Sequence, residues 1–137
     1  PRVPSGCATV RPTPQLIQIP KLHHVLTAIP PDSEDRARSF YVELLGLCEI
    51  AKPASLAARG GLWLTTGSID LHLGIDPAFL PARKAHIALL VENLDQLRVR
   101  LASAEIQLGP VEFELPGFRR CYVQDPFGNR LELMQPL

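Results

Sequence analysis

Hydrophobic and polar positions along this chain follow two different periods, which indicates both helices and strands. Apolar residues three and four positions apart predict a helix that ends at Gly46 and a second helix from Leu94 to Ala104. Short runs of aliphatic and β-branched residues, bounded by turn residues, predict strands between them. The predicted strands are 22–29, 48–50, 62–65, 68–75, 86–91, 111–115, 118–123 and 130–134.

The order of these elements repeats, because each half of the chain reads as a strand, a helix and three further strands. His24 and His86 open the two halves and lie 62 residues apart. Asp70 and Glu132, near the ends of the halves, are separated by the same 62 residues. Self-similarity at a fixed offset is typical of internal duplication. The sequence therefore predicts an α+β fold of two paired βαβββ modules in a curved mixed sheet.

The modules are expected at about residues 21–76 and 84–135, within a single domain that spans 21–137. Residues 1–20 differ in composition, because they contain five of the 14 prolines and show neither helical nor strand periodicity. We predict that this segment is an extended, poorly ordered arm.

Charge and cysteine content narrow the possible functions. Lys plus Arg and Asp plus Glu are both 14, and no cluster of basic residues predicts contact with nucleic acid or a membrane surface. No apolar stretch approaches the ~20 residues of a transmembrane helix, and the N-terminal segment lacks the apolar core of a signal peptide. The odd, widely spaced Cys7, Cys48 and Cys121 predict reduced thiols in a cytoplasmic protein, with the last two half-buried.

Strand alternation places polar side chains of several strands on shared faces. Asp70 and His72 share one face of their strand, and Arg120 and Tyr122 share one face of another. A half-buried carboxylate that faces histidines is costly unless a cation neutralises it. Imidazole plus carboxylate suits Zn, Mn, Fe, Co or Ni. We therefore predict a divalent metal ion held by the following side chains: His24, His86 and Glu132.

Other roles for these residues stay open at this point. An isolated strand histidine is commonly a hydrogen-bonded core residue, and Glu132 could form a salt bridge with Arg120 or Arg130. Repeat symmetry would make Asp70 a fourth ligand, although its side chain is short. Arg120 either binds a substrate anion or only pairs with Asp70 or Glu132. We assign the remaining candidates to the substrate pocket, with His72 also a possible proton carrier: Trp63, His72 and Tyr122.

Four segments together resemble the vicinal oxygen chelate superfamily, which includes glyoxalase I, fosfomycin-resistance thiol transferases, bleomycin-resistance proteins and extradiol dioxygenases. The resemblance covers about residues 21–135, and its most specific parts are the helix end and the closing turn and strand. The segments are Leu22-His23-His24-Val25, Phe40-Tyr41 with Leu44-Leu45-Gly46-Leu47, Ala85-His86-Ile87-Ala88, and Asp125-Pro126-Phe127-Gly128-Asn129-Arg130-Leu131-Glu132-Leu133.

The resemblance implies a cup-shaped cavity, a homodimer and a metal held by the residues that match His24, His86 and Glu132. Glyoxalase I has a fourth ligand, a glutamate, where this chain has Asp70. Tyr122 falls where the fosfomycin enzymes have a substrate-contacting tyrosine, but their potassium-binding loop has no match.

The function we expect is therefore that of a glyoxalase-like lyase or isomerase. It would act on a small oxygenated anion, with Glu132 and His72 as catalytic groups and Arg120 neutralising the substrate. The alternatives are a drug- or metabolite-binding protein of bleomycin-resistance type without chemistry, and a thiol transferase or dioxygenase of the same superfamily.

Overall fold

The computed structural model describes residues 17–137, which form two β-sheets and three helices. Cys7 and most of the predicted N-terminal arm lie outside the described residues. In chain order the elements are β1 (His24–Ile29), α1 (Glu34–Ala37) with a π-helical continuation (Arg38–Leu44), β2 (Cys48–Ile50), α2 (Ala54–Ala57), β3 (Leu62–Thr65), β4 (Asp70–Ile75), β5 (Ile87–Leu90), α3 (Leu94–Ser103), β6 (Phe118–Gln124) and β7 (Arg130–Pro136).

Each half of the chain contributes one sheet. The first has the strand order β1-β4-β3-β2 and the second β5-β7-β6. In both sheets the opening strand lies at an edge and runs parallel to the last strand of its half, and the other neighbours are antiparallel. This mixed pairing with few helices confirms the predicted α+β class. Both halves repeat the parallel pairing of first and last strand, but the second sheet has three strands where the first has four.

The duplication is not exact in strand register. His24 lies opposite Asp70 in the first sheet, whereas Glu132 lies opposite Ala88, not His86, in the second. A shift of two residues leaves every side chain on the same face of the sheet, because side chains alternate with a period of two. The equal sequence offsets therefore predict the correct faces but not equivalent pairings.

One hydrophobic core joins the helices to the inner faces of both sheets. The first helix buries Ala37, Phe40 and Tyr41, as its apolar stripe predicts, and α3 buries Leu94 and Leu101. The sheets add their own buried side chains, namely Ile29, Leu62, Leu64, Leu71, Leu73, Leu89, Cys121, Val123, Leu131 and Leu133. The expectation that Cys48 and Cys121 are both half-buried is wrong, because Cys48 is exposed and Cys121 is buried.

The turn before β7 is organised by the buried Asp125 carboxylate. It accepts hydrogen bonds from the backbone N–H groups of Phe127 and Asn129 and from the Asn129 side chain, at 2.8–2.9 Å. It also accepts one from the Tyr41 hydroxyl at 2.8 Å, and that tyrosine belongs to the first half of the chain. Burial raises the pKa of Tyr41, and Asp125 raises it further, so the phenol stays protonated as the donor. The turn sequence thus connects the two modules.

Two predicted features differ in the structure. Residues 111–115 are not a strand, since only Glu112 of this segment bridges to Arg120 in β6. The alternating apolar residues gain little burial, because Phe113 is 61% exposed, and Pro110 and Pro116 interrupt strand pairing on both sides. The predicted loop between β2 and β3 instead contains the short helix α2. No helix of residues 17–137 is long and apolar enough to cross a membrane.

Candidate metal-binding site

The predicted ligand His24 lies in a column of aromatic rings on the first sheet. The ring of Trp63 in β3 stacks on His72 in β4 with centroids 4.1 Å apart, and His72 stacks on His24 in β1 at 4.2 Å. Strand register explains the column, because Trp63 lies directly opposite His72 and His24 is displaced by two residues on the next strand. Asp70, directly opposite His24, is half-buried on the same sheet. We call these four residues the first half-site.

The column holds His72 in its neutral form near neutral pH. Burial lowers the pKa of His72, and the neighbouring His24 lowers it further, while Asp70 acts in the opposite direction. The adjacent His23 is exposed, and its Nδ1 lies 2.9 Å from the Nδ1 of His24. A neutral imidazole retains a lone pair, so this sheet presents nitrogen atoms that can accept a proton or bind a metal ion.

The other two predicted ligands meet on the second sheet. His86, just before β5, places its Nε2 2.9 Å from Oε2 of Glu132 in β7. The other oxygen of Glu132 accepts a hydrogen bond from the Arg120 guanidinium at 2.9 Å. Tyr122, opposite Glu132 in β6, contacts the His86 ring edge-to-face with centroids 5.6 Å apart. These residues are the second half-site: His86, Arg120, Tyr122 and Glu132.

Glu132 is a charged carboxylate in a buried position, with only 5% of its surface exposed. Burial raises the pKa of Glu132, but hydrogen bonds from Arg120 and His86 lower it by more, so its pKa lies below its ordinary value. The same carboxylate raises the pKa of Arg120. The Glu132 carboxylate of the second half-site is therefore ionised, with one oxygen bound by Arg120 and the other directed at the imidazole of His86.

Arg120 is enclosed by acidic residues that the sequence reasoning missed. Glu112 Oε2 lies 3.6 Å from its Nε, and Glu114 Oε2 lies 3.8 Å from its Nη2, in addition to the Glu132 contact. These distances favour the second of the two roles considered for Arg120, an ion pair with Glu132. The alternation of Glu112 and Glu114 beside an arginine-containing strand was the available signal.

The structure does not bring all predicted ligands together within one chain. Over residues 17–137, no group of three or more His, Cys, Asp or Glu side chains is placed to hold a metal ion. The mixed nitrogen and oxygen donors of the second half-site still fit a divalent ion, because one imidazole nitrogen and one carboxylate oxygen converge there.

Comparisons with known proteins agree with this architecture. The family model described as Glyoxalase/Bleomycin resistance protein/Dioxygenase superfamily matches residues 21–133. A protein from Bacillus anthracis assigned to the glyoxalase family is 38% identical, covers 89% of this chain and 99% of its own, and superposes with a TM-score of 0.83. Among curated protein sequences, none matches this chain.

More distant solved structures share the fold. Lactoylglutathione lyase from Agrobacterium tumefaciens is 20% identical, covers 85% of this chain and 96% of its own, and has a TM-score of 0.62. An antibiotic binding protein from Streptomyces sp. CB03234 is 24% identical, covers 88% and 100%, and has a TM-score of 0.64. The match over most of the chain, together with the repeated topology, establishes that this protein belongs to the glyoxalase/bleomycin resistance protein/dioxygenase superfamily.

Proposed function

We propose that this protein is a glyoxalase-like lyase or isomerase that uses a divalent metal ion on a small oxygenated anion. The observation that carries the proposal is the contact between His86 and Glu132, in which a buried, ionised carboxylate directs one oxygen at an imidazole nitrogen 2.9 Å away. A bound divalent ion would supply Lewis-acid polarisation of a substrate oxygen at this position. Zn, Ni, Mn, Fe and Co all suit such donors.

The third donor, in this proposal, is His24 from a second copy of the chain. β1 and β5 are edge strands, and each exposes an apolar residue on the face that carries its half-site: Leu26 is 59% exposed and Leu90 is 69% exposed. Unpaired edges with exposed leucines favour association with another chain. A homodimer that joins the first half-site of one chain to the second half-site of the other would assemble the three predicted ligands. Asp70, beside His24, is the candidate for a fourth ligand.

Within such a site, His72 and Glu132 would accept and donate protons, and Trp63 would form part of the substrate pocket. His72 is suited to accept a proton, since its lowered pKa keeps it neutral near pH 7. Glu132 could act as a base only in a state in which Oε2 is free, because Arg120 already occupies Oε1. Tyr122, in contact with His86, would face the substrate.

A second candidate is a binding protein without chemistry. It is supported by the separation of the two half-sites within one chain and by the structural similarity to an antibiotic binding protein. The two candidates differ in their need for a metal, because a binder can use the aromatic column alone.

Titration of the chelator-treated protein with zinc, combined with light scattering at micromolar concentration, tests the proposal. We expect saturable binding of about one ion per chain and a mass of about twice the 15.1 kDa of one chain. A monomer that binds no zinc would contradict the metal-dependent function and favour the binding protein.

A further inference from the structure

Two arginines flank the Tyr122 ring on the second sheet, and they differ in what surrounds them. The Arg120 guanidinium lies 5.5 Å from the ring centroid and contacts three carboxylates, those of Glu112, Glu114 and Glu132. An arginine with this many acidic neighbours has its charge already compensated. A substrate anion would have to displace a buried carboxylate to reach it.

Arg130, at the start of β7, has no such partners. Its guanidinium lies over the Tyr122 ring, with 3.8 Å between its central carbon and the ring centroid. Across the described part of the chain, no carboxylate lies within ion-pair distance of Arg130. Stacking on an aromatic face fixes the plane of a guanidinium but leaves its in-plane N–H donors available. Arg130 is thus a positioned cation with unused donors.

Arg130 and Tyr122 line a groove of about 520 Å³ together with residues 105–109 and 123–125. The amide side chains of Gln107 and Gln124 belong to the exposed positions of this lining and offer further hydrogen-bond donors. Two acidic residues also line it. Asp125 is buried, and its carboxylate accepts the hydrogen bonds of the turn before β7. Glu105 is exposed near the C-terminal end of α3. Arg130 is the cation of this groove.

We propose that Arg130, rather than Arg120, binds the anionic group of the ligand, a carboxylate or a phosphate-type oxyanion. The Tyr122 ring connects the proposed anion site to the His86–Glu132 pair, since Arg130 stacks on this ring and His86 contacts it. The anion would therefore bind one aromatic ring away from the His86–Glu132 pair. The identity of that pair as the reaction centre rests on the proposed function, but anion binding by Arg130 can be measured without a metal.

The test compares the metal-free parent with Arg130→Met and Arg36→Met. Arg36 is the matched control, because its guanidinium also lies over an aromatic ring, that of Phe127 at 5.2 Å. Inorganic phosphate and acetate serve as separate probes, titrated by calorimetry at constant ionic strength. We expect Arg130→Met to weaken binding about 10-fold, since a charged hydrogen-bonded contact is lost. Arg36→Met should bind as the parent does.

Each outcome bears on the proposal. Binding of phosphate alone assigns the site to phosphate-type ligands, and comparable binding of acetate assigns it to carboxylates. If Arg130→Met does not fold, Arg130→Lys replaces it, and we expect about 3-fold weaker binding because lysine lacks the two-point fork. Parent-like affinity in the Arg130 variant, an equal loss of affinity in Arg36→Met, or no saturable binding to the parent would each overturn the proposal.

A zinc titration of the same proteins separates this inference from the proposed function. We expect Arg130→Met to retain the zinc affinity of the parent, because among the described residues Arg130 forms no hydrogen bond or ion pair with His86 or Glu132. If no protein binds zinc but the anion results follow the expected pattern, the metal-dependent function fails and the anion site stands. The reverse pattern would refute the role of Arg130 alone.

Discussion

Replacing His86 by alanine is expected to abolish tight binding of a divalent ion. The variant removes the imidazole that lies 2.9 Å from Glu132, and with it one of two donors that the second half-site supplies. Loss of residues that only orient a ligand already costs 10–100-fold in metal affinity, so loss of a ligand should cost at least about 100-fold. Calorimetric titration with zinc and elemental analysis of the purified variant measure the effect.

Asp35→Ala is the control for this experiment. Its side chain is fully exposed, and its ion-pair partner is Arg38, not one of the predicted ligands. It should retain the metal content of the parent. A full complement of metal in His86→Ala would show that this histidine is not a ligand and would remove the basis of the proposed centre.

The second large effect is expected on stability, from Asp125→Ala. The carboxylate accepts four hydrogen bonds, and its removal leaves buried donors of the turn and the Tyr41 hydroxyl without partners. We expect a loss of about 3 kcal/mol in the free energy of unfolding, since each unsatisfied buried donor costs about 1–3 kcal/mol and neighbouring losses overlap. This corresponds to a decrease of roughly 10 °C in Tm for a chain of this size.

Two further variants show whether the effect comes from this network. Tyr41→Phe removes one of the four hydrogen bonds and should cost about 1 kcal/mol. Asp35→Ala removes a carboxylate whose side chain is fully exposed, and it should change the stability little. Urea unfolding followed by circular dichroism compares the three variants. If Asp125→Ala costs no more than Asp35→Ala, the turn does not hold the two modules together.

Local features of this fold could be predicted from the sequence because they depend on neighbouring residues. The apolar stripe of the first helix identified its buried face, and strand alternation correctly placed Arg120 with Tyr122 and Asp70 with His72 on shared faces. The segment 111–115 misled the same reasoning. Its alternation satisfies the strand pattern, but whether Phe113 would find a layer to pack against depends on tertiary structure.

The residues of the candidate site could be predicted from the sequence, but the way in which the fold brings them together could not. Alternation indicates which way His24 and His86 point relative to their own strands, and nothing in it fixes how the two sheets are placed in space. That arrangement depends on core packing and, in our proposal, on a second chain. The ion pairs of Arg120 with Glu112 and Glu114 also escaped prediction, because they require the loop that carries both glutamates to lie along β6.

The central claim is that two chains share one metal site, and co-expression of two defective variants tests it most directly. His24→Ala and His86→Ala chains would carry different affinity tags, and the mixed dimer would be isolated through both. In a shared site, the mixed dimer pairs an intact His24 with an intact His86–Glu132 pair. The account predicts about one bound ion per mixed dimer and none in either variant alone. A mixed dimer without metal, or full metal content in His24→Ala alone, would contradict it.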